Sequence, residues 1–362
     1  MAKDRSNPDR MGVLVVGVGS LGRQRAAAAK TAKNTRLVAI LDADPGRART
    51  VADSLGTTAI GSLREGLAFP DVDAVVVATP HADHEHVVRQ SLEAGKIVLC
   101  EKPLATDPDD ARDLALLADA CGVRLATGFN HRFYPPVRDA LDLVSTWAIG
   151  RVESVRLTIG HAASPEFLAG WHVDRAVSGG GTMMDNGVHA CDLSRKFLGE
   201  VAAAKGYVRD SIGLPFGIES EAFALFRNHD RGVAEVRSSW TLETGYLTIE
   251  VRGSQGFLKV ETAPWRLSGH LADGSKVGRR YVADRVAEAI FRRRFGCERS
   301  LVRELECFAA GEPTATAWDG FRATAMADAV YRSASSGTEV ALLPPIAVKQ
   351  REKTHREVSH AA

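Results

Sequence analysis

Gly12-Val13-Leu14-Val15-Val16 runs without a break into Gly17-Val18-Gly19-Ser20-Leu21-Gly22, and a helical pattern over Leu21–Ala32 follows at once. A short apolar run without polar alternation reads as a strand covered on both faces. A G-x-G-x-x-G sequence alone carries little weight. Between such a strand and a helix it has a mechanism. Gly17 permits the tight turn, Gly19 lets a pyrophosphate approach the backbone, and Gly22 lets helix and strand pack closely. Ser20 and Leu21 open the helix, whose first N–H groups and positive dipole end face an anion. A second apolar run ends in Leu41-Asp42, and Asp42 lies 20 residues past Gly22. A carboxylate there accepts hydrogen bonds from the adenosine ribose and repels a 2′-phosphate. Ala43 follows instead of a basic residue, so the expected cofactor is NAD; Arg47 and Arg49 leave NADP open.

Outward from this stretch, apolar runs at Leu37–Leu41, Ala74–Ala78, Ile97–Cys100 and Val123–Ala126 alternate with helical patterns at 47–55, 85–94 and 109–120. That alternation predicts a parallel, doubly wound sheet. After Phe129 the texture changes. A helical segment, Pro136–Trp147, precedes strand patterns at 155–159, 222–226, 233–239, 247–252 and 257–260, joined by turn sequences such as Asn228-His229-Asp230. These predict a large, mostly antiparallel open sheet in an α+β half. Helical patterns near 283–310 and 317–335 close the chain. The expected division is a disordered lead-in over 1–10, a Rossmann domain over 11–128, a substrate-binding and oligomerisation domain over 129–345, and a flexible tail over 346–362.

Composition narrows the function. The 362 residues carry 46 basic and 45 acidic side chains, a net charge of +1. That balance gives no basis for a nucleic-acid partner. No run of about 18 apolar residues spans a membrane, and the polar start MAKDRSNPDR lacks the apolar segment of a secretory signal. The five cysteines show no C-x-x-C spacing and read as reduced thiols, so the expected location is the cytoplasm.

Several further stretches carry chemistry. Ala78-Thr79-Pro80 with His84, Glu101-Lys102-Pro103, Gly128-Phe129-Asn130-His131-Arg132-Phe133, Gly179-Gly180-Gly181-Thr182-Met183-Met184-Asp185-Asn186-Gly187-Val188-His189, and Asp319-Gly320 occur in that order. Together with Gly17–Gly22 they resemble the glucose–fructose oxidoreductase / inositol dehydrogenase (Gfo/Idh/MocA) family over roughly residues 11 to 343. The resemblance implies a Rossmann domain joined to an open-sheet domain, homodimers or homotetramers formed through that sheet, and redox chemistry on sugars, cyclitols and related polyols. It also implies that Lys102 is catalytic and contacts substrate.

The residues themselves support that chemistry. An alcohol is a weak acid, so its oxidation needs a base within hydrogen-bond reach. His189 is the candidate, since an imidazole accepts and returns protons near neutral pH. Asp185, four residues earlier, shares a helical face with His189 and either orients the substrate hydroxyl or stabilises the charged imidazole. Lys102 follows a parallel strand, at the sheet end where ligands of this fold bind, and can stabilise a developing alkoxide. Pro103 fixes a turn there, with a cis bond as one option. Glu101 reads as positioning the cofactor ribose or nicotinamide region, with Thr79, Pro80 and His84 also on the cofactor side. Asn130, His131 and Arg132 at the junction, and Trp171 and His172 in a loop, are candidates for substrate contact. Asp192 reads as structural. His81, His84 and His86 lack a compact second ligand group, so no metal is expected. The arginine-rich 285–303 stretch reads as a solvated helix face or oligomer contact.

The leading expectation is an NAD(P)-dependent oxidoreductase acting on a secondary alcohol or ketone. Two alternatives stay open: a lyase, hydrolase or epimerase using transient oxidation, and a non-catalytic dinucleotide-binding regulator.

Overall fold

The computed structural model describes residues 10–243 and 246–342. The flexible tail and all of the lead-in except Arg10 lie outside the described residues.

Six strands form the first sheet: β1 (Met11–Val16), β2 (Thr35–Leu41), β3 (Thr58–Ala59), β4 (Ala74–Val77), β5 (Ile97–Glu101) and β6 (Leu125–Gly128). All pairings are parallel, in the order β3-β2-β1-β4-β5-β6. Val13, Leu14 and Val15 of β1 and all of β4 are fully buried, as their unbroken apolar runs require. Two of the intervening helices start at a side-chain cap followed by proline. Asp44 accepts from the Gly46 and Arg47 amides before the Pro45–Leu55 helix, and Asp107 accepts from Asp109 before the Pro108–Cys121 helix. Two-residue β3 is too short to carry a periodicity. The strand order reverses between β1 and β4, and the crevice at their carboxyl ends is where this fold takes a ligand.

The second sheet has nine strands: β7 (Val152–Gly160), β8 (Val201–Arg209), β9 (Glu221–Asn228), β10 (Val233–Ser239), β11 (Leu247–Gly253), β12 (Gly256–Thr262), β13 (Trp265–His270), β14 (Lys276–Arg280) and β15 (Val340–Ala341). Their order is β14-β13-β12-β11-β7-β10-β9-β8-β15. Only β7 and β10 pair in parallel. One face is apolar: Val155, Leu157 and Ile159 of β7 are buried with Ile249 and Val251 of β11 under the Pro135–Ser145, Val188–Leu198 and Ala317–Ser336 helices. The other face carries ion pairs such as Arg156–Glu235 at 2.9 Å. Strands β8, β13, β14 and β15 escape the sequence pattern. Alanine-rich β8 and polar Lys276–Arg280 have weak strand propensity and owe their conformation to pairing.

The helical pattern near 283–310 is two helices, Val282–Phe295 and Arg299–Ala310, separated where Gly296 turns left-handed at φ +73°. The second packs Leu301, Leu305 and Phe308 against Ala26–Ala29 of the Ser20–Thr31 helix. The Ala317–Ser336 helix packs on both β8 and the Pro108–Cys121 helix. The chain beyond residue 295 thus returns to the first sheet, and the two halves share their packing.

Candidate active site

The glycine turn has the geometry its sequence promised. Gly17 lies at φ +84°, and a Cβ there would come within 2.6 Å of the Ala78 carbonyl oxygen. A Cβ on Gly22 would strike the Gly17 carbonyl oxygen at 2.0 Å, whereas one on Gly19 would meet nothing within 4 Å. Gly19 therefore leaves open space at the start of the Ser20–Thr31 helix, which has no side-chain cap. An uncapped helix start behind a bare backbone fits a pyrophosphate. Asp42 Oδ2 accepts from the Val18 amide at 2.7 Å, fastening the second strand to the turn. Its Oδ1 accepts from the Asp44 amide at 2.9 Å and from Arg47 at 2.7 Å. Burial opposes ionisation of Asp42, but these bonds outweigh it and lower its pKa. Arg47 therefore stands beside the expected ribose position. Thr79 Oγ1 is buried without a partner near the same turn. The residues present fit a dinucleotide.

At the end of β5 the Lys102–Pro103 peptide bond is cis. Lys102 Nζ donates to Asp185 Oδ1 at 2.7 Å and to the Asp185 carbonyl oxygen at 2.8 Å. Asp185 lies in a π-helical turn, Met183–Gly187, that opens into the Val188–Leu198 α-helix. Such turns recur at functional sites because they re-aim side chains. Here the wider turn gives Asp185 to Lys102, not to His189. Asp185 Oδ2 accepts from Trp240 Nε1 at 3.1 Å and Asn186 Nδ2 at 2.9 Å, with His161 Nε2 at 3.9 Å. Burial would raise the Asp185 pKa, yet the Lys102 ammonium and the nearby His161 imidazole hold it well below the carboxylate range.

His189 is buried, and burial, followed by the neighbouring His131 and the Lys102 ammonium, keeps its pKa well below 6.5. It is a neutral imidazole at neutral pH. Its ring stacks on His131 at 3.8 Å between centroids, and the Phe129 edge closes the other side at 5.6 Å. His131 is held near a pKa of about 3, first by burial and then by Lys102. Its Nε2 shares a hydrogen bond with the Tyr246 hydroxyl at 3.2 Å. Trp171 stacks on His172, His172 on Phe167, and Phe167 meets Trp240 edge-on, so this loop lays an aromatic wall beside Asp185.

Other expected site residues face elsewhere. Arg132, read as a substrate contact, is almost wholly buried and forks onto Asp192, with Nε to Oδ2 at 2.7 Å. It also reaches Asp319 at 3.2 Å. Its Nε and Nη2 are committed to holding three segments together, which corrects the reading. Asn130 Nδ2 turns to Ser300 Oγ at 3.0 Å. Glu101 accepts from Arg25 Nε at 2.5 Å, and Arg25 pairs with Glu304 at 2.7 Å. Burial pushes the Glu304 pKa up to about 7, against the pull of Arg25. This buried trio supports the end of β5 from below. His84 lies between two backbone carbonyls, Pro103 at 2.7 Å from Nδ1 and Thr79 at 3.0 Å from Nε2, and its single N–H donates to one of them, so the ring sits wedged between two loops. His81 bonds the Ser178 carbonyl at 2.9 Å, and no group of three or more possible ligands among the described residues is placed to hold a metal ion.

The sequence reading passed over His161, Trp240, Tyr246 and Glu219. His161 and Trp240 directly follow β7 and β10, whose parallel pairing brings both carboxyl ends to Asp185. A polar or aromatic residue just past a strand end is the signal that would have found them. Glu219 accepts from the Gly181 and Met183 amides at 2.9 and 2.8 Å, capping the turn that carries Asp185.

A family model described as "Oxidoreductase family, NAD-binding Rossmann fold" matches residues 11–129, and the "GFO/IDH/MocA C-terminal domain" matches 137–259. An inositol 2-dehydrogenase of Rhizobium meliloti (strain 1021) is 28% identical over 344 residues, covering 92% of this chain and 99% of that protein. A D-xylose 1-dehydrogenase (NADP(+)) of Haloferax volcanii is 30% identical over 343 residues, covering 91% and 98%. A solved levoglucosan dehydrogenase in complex with NADH and levoglucosan superposes with a TM-score of 0.81 at 21% identity, covering 92% and 99%; it shares the fold. The protein belongs to the GFO/IDH/MocA oxidoreductase family and is an NAD(P)-dependent oxidoreductase.

Proposed function

We propose that this enzyme moves a hydride between a nicotinamide and a secondary alcohol or ketone of a neutral sugar, cyclitol or related polyol. The observation that carries the reading is an ammonium and a neutral imidazole set into one electrostatic cluster beside the glycine turn. A bound nicotinamide supplies the hydride acceptor or donor. An ammonium has three N–H donors, and Lys102 spends two on Asp185, so one remains for a substrate oxygen. That donor lowers the cost of alkoxide character, while neutral His189 takes the hydroxyl proton in oxidation and returns it in reduction. Asp185 fixes the lysine in place. The loop with Trp171 and His172 offers an aromatic face and polar edges to a sugar ring. The names of the relatives support the substrate class. We assign the ion-paired face of the nine-stranded sheet to homodimer or homotetramer contacts. The unpaired cysteines and the nicotinamide chemistry suit the cytoplasm.

The test is a panel of sugars and cyclitols with NAD and with NADP, followed at the nicotinamide absorbance. Turnover is expected with at least one cyclic polyol. Dinucleotide binding without turnover of any panel member would favour a regulator and sink the reading. Retention of tightly held cofactor, with turnover needing no added NAD, would favour the transient-oxidation alternative.

A further inference from the structure

A cavity of about 770 Å³ lies away from the glycine turn, between the Pro135–Ser145, Val282–Phe295 and Arg299–Ala310 helices and the strands β11 to β13. That is within the range of small-molecule sites, about 300–1,000 Å³. Its apolar surface is aromatic. Tyr134 and Trp265 lie 5.9 Å apart at 30°, and Tyr246 and Phe291 add to the wall. Arg285 stands over the Trp265 ring at 5.6 Å and donates to the Thr262 carbonyl at 3.3 Å. Glu288 and Glu298 line the same space as Arg285 and Arg292. The Tyr134 hydroxyl forms no hydrogen bond among the described residues. The wall helix Val282–Phe295 has no fully buried residue; Phe291 packs against the core that holds Leu301 and Leu305, and Arg285, Glu288 and Arg292 line the cavity.

The lining carries both signs of charge, and much of it is paired internally: Arg292 with Glu298 at 3.5 Å, Arg299 with Asp284 at 3.8 Å and Arg303 with Glu306 at 3.9 Å, while Arg285 and Glu288 face the same space. Hydroxyl groups satisfy both, donating to carboxylates and accepting from guanidinium groups and the free phenol. Aromatic faces suit the C–H side of a ring. From this geometry we infer a second binding site for a neutral, ring-shaped polyol, distinct from the Lys102 site. It connects to the catalytic base. Tyr246 lines the cavity, its hydroxyl bonds His131, and His131 stacks on His189. An occupant that engages Tyr246 therefore acts on the His189 environment through one hydrogen bond and one ring stack. The choice of probe rests on the proposed polyol chemistry; the existence of the site does not.

The experiment counts bound myo-inositol, levoglucosan and D-xylose by calorimetry on the NADH-saturated enzyme. The wild type is expected to bind two molecules of at least one probe per chain. Lys102→Ala should keep the cavity molecule. Trp265→Ala should weaken it about tenfold or more, with kcat/KM at the Lys102 site, read at low substrate, unchanged. Glu288→Gln and Tyr134→Phe are milder variants that should weaken it in the same direction if Trp265→Ala fails to fold. One molecule per chain in the wild type, lost in Lys102→Ala, overturns the second site and leaves the proposed function standing. One molecule lost in the cavity variants but kept in Lys102→Ala supports the second site and sinks the polyol reading of the Lys102 site. No probe bound, or a second molecule indifferent to all three cavity variants, overturns the inference.

Discussion

Asp185 and Asp192 lie seven residues apart in one helical run, and each is paired with a cation from an earlier segment, yet they serve opposite ends. Asp192 is sealed. Arg132 forks onto it and also reaches Asp319, Asp319 pairs with Arg195 at 3.0 Å, and Arg195 pairs with Glu200. Every charge in that network is compensated from inside the protein. The Asp185 cluster is open. Lys102 keeps one N–H unspent, and His189 Nδ1 and His131 Nδ1 are buried without partners. A closed ionic network fixes segments in space, whereas an open one retains donors and acceptors for a substrate. Charge and burial alone do not separate the two; unspent hydrogen-bonding capacity does.

The sharpest way to break this contrast is to delete from the open cluster. Lys102→Ala and His189→Ala should each lower kcat by about 10²- to 10⁴-fold, the usual worth of a positioned proton-transfer group. Dinucleotide affinity, read by fluorescence titration, should stay nearly constant. An unaltered kcat in either variant removes that residue from its role. The closed network should respond in stability. Asp192→Ala leaves the buried Arg132 guanidinium with Asp319 as its one carboxylate partner and should cost about 3 kcal/mol in urea unfolding. Lys in place of Arg132 should not restore the loss, because it cannot fork. If Asp192→Ala left stability intact and cut only kcat, the two carboxylates would not differ as described.

The smallest effect concerns the base itself. Burial, then His131 and Lys102, hold His189 below 6.5, so it stays unprotonated down to lower pH. A lowered pKa in a base places the acid limb of kcat/KM below 6.5, with rate lost as pH falls through it. His131 is itself unprotonated across this range, so His131→Phe keeps a ring against His189 without changing the charge beside it, and the limb should stay where it is. A limb that shifted by a full pH unit would show that the stacked imidazole does carry electrostatic weight.

Legibility in the sequence tracked locality. Gly17, Gly19 and Gly22 act through backbone geometry within a few residues, and their neighbours state it. The β7 and β10–β12 strands announced themselves by alternation, whereas β8 and β14 hold strand conformation only because partners pair with them. Lys102, Asp185 and His189 were legible as chemistry-bearing residues in recognisable stretches. Their partners were not. The i,i+4 spacing of Asp185 and His189 suggested a pair, but a π-helical turn intervened. Arg132 looked free for substrate because nothing in its own stretch names Asp192, 60 residues away. Glu101 looked free for cofactor because Arg25 lies 76 residues before it.

The amino-acid sequence by itself determined the parallel sheet, the dinucleotide turn and the kinds of side chain available for proton transfer. These follow from periodicity and from conformations that only certain residues adopt. Tertiary structure alone decided which carboxylate holds the lysine, which arginine is locked, and that His161, Trp240 and Tyr246 join the site. Such choices depend on how strands and helices far apart in the chain come to face one another, and no local pattern encodes that distance.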